Sequence, residues 1–232
     1  MIDFHSHVLP RLDDGSRSSK ESIDILSKLY KQGVDYVCAT PHFDAGSVSP
    51  ELFIKRRQAS YDRLVSVIPE DVEIPQILLG SEIAYFKGIS RASDLKQLTI
   101  GDSNLLLVEM PPEKWTEYMQ QELVEICACS GMRVIIAHLE RCYKYQRPQT
   151  LEYLIRSGVL MQANASFFTK RRHRAKALRM LANGKIHLLG TDCHNSTSRP
   201  PRADKALSVI RKRFGDDFVS NMDKQTKELL IP

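Results

Sequence analysis

Seven short apolar runs alternate with helix-patterned segments along the whole chain: 1–7, 35–42, 76–83, 104–110, 133–141, 160–166 and 186–194. Each has the length of a strand and is nearly continuous in apolar residues, the pattern of strands covered on both faces. Between them, apolar residues recur at helical spacing over 19–32, 50–68, 112–130, 148–157, 170–183, 200–214 and 216–230. In the first helix the spacing sets Ile23, Leu26 and Tyr30 on one face. Ser18 and Glu21 are spaced as a capping box before it, and Gly33, Gly131, Gly158, Gly184 and Gly215 stand where helices would stop. A strand–helix unit repeated about seven times closes most simply into an α/β barrel, with an open doubly wound sheet as the alternative. The 232 residues, 42% apolar, contain no Pro/Gly/Ser-rich linker, so a single domain over 1–232 is expected.

Six of the seven runs end in residues able to bind a metal: His5 and His7, His42, Glu82, Glu109, His138, and the pair Asp192 and His194. In a parallel barrel the C-terminal strand ends meet at one face, so these scattered residues would converge. Any one of them alone reads as an ordinary hydrogen-bonded polar residue or a helix cap. Five of the seven histidines at such positions, with only His173 and His187 elsewhere, argue for a shared purpose. His5 and His7, two apart on a strand, point to the same side. Asp14, in "RLDDGS" just past the first run, could join them, and Asp13 is its equal on spacing. Imidazoles mixed with carboxylates, without cysteine, suit manganese, iron or zinc, with magnesium possible. So many ligands exceed the needs of one ion. Two or three ions sharing a carboxylate are expected, an arrangement that clamps both sides of a displacement at phosphorus.

A competing chemistry is written over the same residues. In "GTDCHNSTSR" (190–199), Cys193 and Arg199 have the C-x5-R spacing of a thiolate phosphatase, and Cys127 and Arg133 repeat it. A thiolate needs a positive setting, yet Cys193 follows Asp192 directly. "HNSTS" has no glycine to wrap an anion, Pro200 and Pro201 remove N–H donors, and alternation turns Cys193 away from Asp192 and His194. Cys127 lies at a helix end. Neither cysteine is expected to be the nucleophile.

The formal charge of +5 and pI near 8.9 suit an anionic substrate but are too diffuse to imply nucleic acid. No stretch approaches the roughly 18 apolar residues of a membrane span, so no membrane insertion is expected. "MIDFHSH" enters patterned sequence without a leader, and five cysteines do not form a disulfide framework; a cytoplasmic location is expected. The most basic run, "TKRRHRAK" (169–176), reads either as a solvated helix start or as a docking surface for an acidic partner. Trp115 and Tyr118 are expected to pack a helix.

"DFHSH", "DDG", "TPH", "SEI", "AHLER" and "TDCHN…RPP" together resemble the polymerase and histidinol phosphatase (PHP) superfamily. Within it the likeness is to the bacterial manganese-dependent protein-tyrosine phosphatases of the CpsB/YwqE type, encoded with capsule or exopolysaccharide genes. It runs from residue 1 to about 205. The resemblance implies a distorted (β/α)7 barrel with three metal ions at the C-terminal strand ends. By position, His5, His7, Glu82 and Asp192 would hold the first ion, and Glu82 would bridge to a second completed by Glu109 and His138. Asp14, His42 and His194 would hold the third, which breaks the tie with Asp13. Arg141 and Arg199 match the family's phosphate-binding arginines and, with Asp192, are the catalytic candidates; the loop from His194 to Arg199 is shorter than relatives can have. The implied reaction is attack on phosphorus by a metal-bridging hydroxide, with a tyrosyl leaving group of pKa about 10. The implied substrate is a phosphotyrosine-bearing protein, the tail of a bacterial tyrosine kinase. Histidinol phosphate or another small phosphate ester is the alternative substrate, and a PHP-type nuclease a further one.

Overall fold

The computed structural model describes residues 1–230, so the last two residues of the expected 1–232 domain lie outside the described residues. The chain runs β1 (Ile2–Ser6), α1 (Ser19–Lys31), β2 (Tyr36–Ala39), β3 (His42–Phe43), α2 (Pro50–Val65), β4 (Gln76–Leu79), β5 (Glu82–Ala84) and β6 (Leu105–Glu109). It continues α3 (Glu117–Cys129), β7 (Arg133–Ile136), α4 (Leu139–Cys142), α5 (Pro148–Arg156), β8 (Leu160–Asn164), α6 (Ala165–Thr169), α7 (Arg171–Ala182), β9 (Leu188–Gly190), α8 (Ala203–Phe214) and α9 (Asp216–Leu230). All strand pairs are parallel, in the orders β1-β2-β4 and β3-β5-β6-β7-β8-β9. The ring closes where Asp192 N donates to His5 O (2.8 Å) and His7 N to Cys193 O (2.9 Å). The seven runs are thus seven staves of a distorted barrel, as expected.

Two staves are broken at the same height. β2 stops before Thr40–Pro41 and β4 before Gly80–Ser81, while pairing carries across the gap through Gly80 N to Ala39 O and Glu82 N to Pro41 O, each 2.9 Å. Buried Arg57 of α2 donates to Gly80 O (2.8 Å) and Gln97 O (3.3 Å) beside the break. Two runs also turn helical sooner than their sequence suggests: 133–141 becomes β7 followed by α4, and 160–166 becomes β8 followed by α6. Continuous apolar sequence has no period to mark such a change.

The core has two layers. Phe4, Cys38, Leu105, Leu107, Ile135, Leu160 and Leu188, all from strands, fill the lumen. Leu106, Val108, Val134, Ile136, Met161 and Leu189 face outward onto helices. α1 buries Ile25, Leu26 and Leu29 against Val37 and Ala39. Its inner face is rotated from the expected Ile23/Leu26/Tyr30 stripe: Tyr30 is exposed and donates its hydroxyl to Glu73 (3.0 Å). The Ser18 cap forms, accepting from Glu21 N (3.2 Å), but the Glu21 carboxylate returns to Arg17 N (2.9 Å), not to Ser18 N. Trp115 is buried as expected, with its indole N–H on Pro111 O (3.0 Å), whereas Tyr118 is exposed.

Candidate metal centre

Above the apolar floor of the lumen, the inward positions turn polar. Leu105 and Leu107 lead to Glu109; Leu160 leads to Gln162 and Asn164; Leu188 and Gly190 lead to Asp192 and His194. Two staves depart from strict alternation to place a histidine. On β1 the register advances three residues, Asp3 to Ser6, against two on β2, Val37 to Ala39. This bulge brings His5 inward along with Phe4. After β7, alternation would turn residue 138 outward, and the left-handed backbone of His138 (φ 29°) returns its ring to the lumen. Asp192 also has positive φ (52°), and its turn is pinned from β1. Asp3 accepts from Thr191 N (2.7 Å) and Thr191 Oγ1 (2.5 Å), and burial pushes its carboxyl up to about 6.

Two glycines are required by close approach. A Cβ on Gly15 would lie 2.3 Å from His7 O, and one on Gly190 would lie 2.6 Å from both His5 Cβ and Gln162 Nε2. The glycines of "DDG" and "GTD" therefore let neighbouring backbone close around His7 and His5.

Three constellations result. His5 Nε2 and His7 Nε2 are 3.2 Å apart, and Glu82 Oε2 lies 3.1 and 3.3 Å from them; Asp192 Oδ1 is 3.5 Å from His7 Nε2. The other oxygen of the same carboxylate, Glu82 Oε1, is 2.8 Å from His138 Nε2, which is 3.1 Å from Glu109 Oε1. On the far side, Asp14 Oδ1 is 3.3 Å from both His42 Nε2 and His194 Nε2, and His42 Nδ1 reaches Glu82 Oε2 at 3.1 Å. All nine predicted ligands come together. Asp13 and Asp14 separate in role: Asp13 Oδ2 sits 2.7 Å from His7 Nδ1 and also accepts from His42 N (3.1 Å).

The sixth run, which ends in no ligand, supplies the orienting groups that the sequence reading missed. Gln162 Oε1 accepts from His138 N (2.6 Å) and lies 3.3 Å from His5 Nδ1. Gln162 Nε2 donates to Asn164 Oδ1 (2.9 Å), and Asn164 Nδ2 to Asp192 Oδ2 (2.9 Å). The available signal was polar residues two apart inside an apolar strand, on the same side as Leu160. Such partners fix ring orientation and ligand basicity.

The donor set fits divalent ions. Two imidazole nitrogens held about 2.1 Å from one ion sit roughly 3.0–3.4 Å apart, the spacing of His5 and His7. Buried Glu82 Oε2 and His194 Nε2 are faced by imidazole nitrogens and a carboxylate oxygen, respectively, at 3.1–3.3 Å but make no well-directed hydrogen bond. Charge is shared instead: burial opposes it, but His5, His138 and His42 hold Glu82 well below the usual carboxylate range. Against the same penalty of burial, Glu109 and Glu82 raise His138 to about 9, and Asp13, Asp192 and Glu82 hold His7 well above an ordinary imidazole. Burial and the nearby His7 charge press His194 down to about 4, leaving a neutral ring suited to coordination.

Arg141 and Arg199 stand at the mouth, each about two-fifths exposed. Arg141 reaches Asp192 Oδ2 (2.6 Å) and Glu109 Oε1 (3.3 Å), and Arg199 reaches Asp192 Oδ1 (2.9 Å). The short loop before Arg199 is closed by Asn195, whose Oδ1 accepts from the backbone N–H of Thr197 (3.0 Å), Ser198 (2.7 Å) and Arg199 (3.0 Å). Asn195→Ala should therefore loosen Arg199 and lower kcat/KM on an aryl phosphate by about 10–100-fold with metal content unchanged. Steady-state kinetics beside metal analysis checks this, and an unchanged kcat/KM would show that the staple does not set Arg199. Between the two arginines opens a cleft of about 450 Å³, lined also by Tyr143, Phe167, Lys170, His173 and Arg202.

Cys193 lies outside this space. It is buried in the layer of Val8, Leu9, Ile25 and Leu26, where burial and the Asp3 and Asp192 charges push its thiol far above the ordinary range. Cys193→Ser should retain activity within roughly threefold, because the buried thiol offers no nucleophile. A dead variant with normal metal content would reinstate the thiolate chemistry.

The family model for capsular polysaccharide synthesis, CpsB/CapC, matches residues 1–231. The chain is 31% identical to tyrosine-protein phosphatase YwqE of Bacillus subtilis, covering 100% of this chain and 91% of the relative. It is 28% identical to tyrosine-protein phosphatase CpsB of Streptococcus pneumoniae, over 100% of this chain and 95% of that protein. Among solved structures, it superposes on a chain from the crystal structures of YwqE and CpsB, described as metal-dependent tyrosine phosphatases. There the TM-score is 0.84 at 27% identity, covering 99% of this chain and 94% of the other.

Proposed function

The chain belongs to the CpsB/CapC capsular polysaccharide synthesis family, and from that membership we propose that it is a metal-dependent protein-tyrosine phosphatase, one domain over 1–232. The observation that carries the reading is the Glu82 carboxylate, whose two oxygens face two separate histidine groups. His5, His7, Glu82 and Asp192 would hold one ion, Glu82, Glu109 and His138 a second, and Asp14, His42 and His194 a third. Manganese suits this nitrogen and oxygen set, with iron, zinc or magnesium able to occupy it. When bound, the ions supply Lewis-acid charge at the phosphoryl oxygens and an acidified water as nucleophile.

The protein's own residues do the rest. Arg141 and Arg199 present planar guanidiniums to the equatorial oxygens, where charge spreads in the transition state. Asp192 is buried, yet His7, His5 and Arg141 keep it ionised, so at neutral pH it serves as ligand and arginine anchor and has no proton to give. A tyrosyl oxygen, of pKa about 10, leaves with little proton assistance, whereas an alkyl phosphate needs a donor. Asp13, Gln162 and Asn164 hold the ligating rings and Asp192 in place.

The substrate would be a phosphotyrosyl protein, the tail of a bacterial tyrosine kinase in capsule or exopolysaccharide synthesis. A cytoplasmic setting suits its five unpaired cysteines, and among the described residues no helix is long and apolar enough to cross a membrane. Parallel turnover assays with Mn2+ on a phosphotyrosine peptide, histidinol phosphate and single-stranded DNA test the reading. Only the first should be turned over efficiently; efficient turnover of histidinol phosphate alone would replace it. Arg141→Ala should lower kcat/KM on phosphotyrosine peptide by about 10²–10³-fold, as expected for a lost charge-stabilising donor. Arg141→Lys should recover little of it, since an ammonium cannot grip two oxygens in one plane. Wild-type rates in either variant would remove Arg141 from the phosphate site.

A further inference from the structure

No Asp or Glu occurs between Glu152 and Asp192. Within that stretch Lys170, Arg171, Arg172, Arg174 and Lys176 gather at the start of α7, beside the cleft. Among the described residues six Lys or Arg side chains form ion pairs, and none of these five, nor Arg202, is among them. Arg174 is spent on Phe168 O (3.3 Å) and Thr169 O (3.2 Å), and Lys176 lies 3.9 Å from the centre of the Tyr143 ring. Lys170, Arg171 and Arg172 are exposed.

This placement runs against the helix's own field. A helix N-terminus carries partial positive charge, and a cation there costs about 0.3–1 kcal/mol. Most other helices respect the rule: α1, α2, α3, α8 and α9 each put an acid in the first turn and, except α3, a base in the last, while α5 opens on Pro148 without an acid or a side-chain cap. α7 alone among the long helices opens on a cluster of cations with no acid and no side-chain cap. Arg172 donates to His173 Nε2 (2.9 Å), but among the described residues no carboxylate offsets that cost.

We propose that the start of α7, with Arg202 across the cleft, is a docking wall for acidic residues flanking the phosphotyrosine, so that the preferred substrate is an acidic phosphotyrosyl segment of a protein. This rests on the phosphatase reading above. The phosphatase reading assigns Arg141 and Arg199 to the phosphate, and Tyr143 and Phe167, which also line the cleft, offer the tyrosyl ring an aromatic surface. The remaining cations extend beyond the volume of one phosphate and meet a ligand whose negative charge is spread along a chain. A lipid surface fits less well: among the described residues the large exposed apolar side chains are Tyr30, Leu52, Val65, Val67, Tyr118, Tyr145 and Tyr153, none on α6 or α7, so these helices offer no apolar anchor.

The test compares three substrates with Mn2+: p-nitrophenyl phosphate, a phosphotyrosine peptide flanked by glutamates, and the same peptide with glutamines. Wild type should prefer the acidic peptide by about tenfold in kcat/KM, mostly through KM, and salt should erode the preference. Arg171→Glu/Arg172→Glu should abolish the preference while p-nitrophenyl phosphate stays within roughly twofold, and Arg171→Gln/Arg172→Gln should fall between. Charge reversal at the remote, exposed Lys212 and Lys224 should change nothing. Equal rates on both peptides, or one loss shared by all three substrates, would overturn the docking wall. Binding of the acidic peptide to metal-free protein, read by fluorescence anisotropy, decides the matter separately. If no substrate is turned over, the phosphatase reading fails, and binding that survives the reversal sinks the wall as well. Retention on anionic phosphatidylserine vesicles without any peptide preference would assign the wall to a lipid surface and overturn the proposal.

Discussion

Replacing Glu82 by alanine is expected to lower turnover of an aryl phosphate by at least about 10³-fold and to release more than one metal ion, since a shared carboxylate anchors both sides of the displacement. Its oxygens lie 3.1 and 3.3 Å from His5 and His7 on one side and 2.8 Å from His138 on the other, with His42 at 3.1 Å. No other carboxylate in the site touches all three groups of ligands. Glu82→Ala also leaves the imidazoles without their shared anion, so metal-free variant protein should unfold at lower temperature than metal-free wild type. Glu82→Gln, which keeps the volume and loses one charged oxygen, should retain the fold better than the metal. Activity, metal content by mass spectrometry and thermal unfolding are the three readings. Full metal content in either variant would remove Glu82 from the centre.

Chelation is the second large effect. Removing divalent ions should abolish activity, and adding Mn2+ should restore it. Its pH dependence follows from the metal-free protonation states. His138, raised to about 9, and His7, raised above its ordinary value, carry protons at neutral pH that an incoming ion must displace. Apparent affinity should therefore rise with pH through the His138 value of about 9, with protons released on binding. The stability of the metal-free protein should move the opposite way. A histidine whose folded pKa is raised contributes stability that is full below its unfolded value of about 6.5 and is lost as pH rises through the folded value. Metal-free protein should lose stability between about pH 6.5 and 9, a window set by His138, while the metal-loaded form stays flat. Thermal unfolding across that range, with and without Mn2+, gives the comparison. A metal-free protein growing more stable over this range would contradict the pairing of His138 with Glu82 and Glu109.

The barrel was legible because its signal is local and repeated: each stave is one apolar run, each crossover one helix with its own stop. The breaks in the second and third staves were not legible, because the contacts that fix them, such as Arg57 on the Gly80 carbonyl, come from distant sequence. The early turns after β7 and β8 were hidden for a different reason. Leu139, Cys142, Phe167 and Phe168 are as apolar as the strands they follow, so burial continues while the backbone changes.

What the sequence determined by itself is which side chains gather, since histidine and carboxylate at the C-terminal ends of parallel strands must share one face whatever the details of the barrel. It also determined the fate of Cys193, because period-two alternation through Gly190, Asp192 and His194 sends the thiol to the helix layer. Spacing alone left open how these side chains group, and the grouping comes from the tertiary structure. It set Asp14 toward His42 and His194 while turning Asp13 onto His7, and it recruited Gln162 and Asn164 from a stave that brings no ligand. It placed His5 and His138 through a bulge and a left-handed residue. The physical reason is the same in each case. Spacing in sequence fixes which side of a strand a residue faces, but distances of 3 Å between staves depend on register, bulges and backbone φ, which only the closed barrel sets.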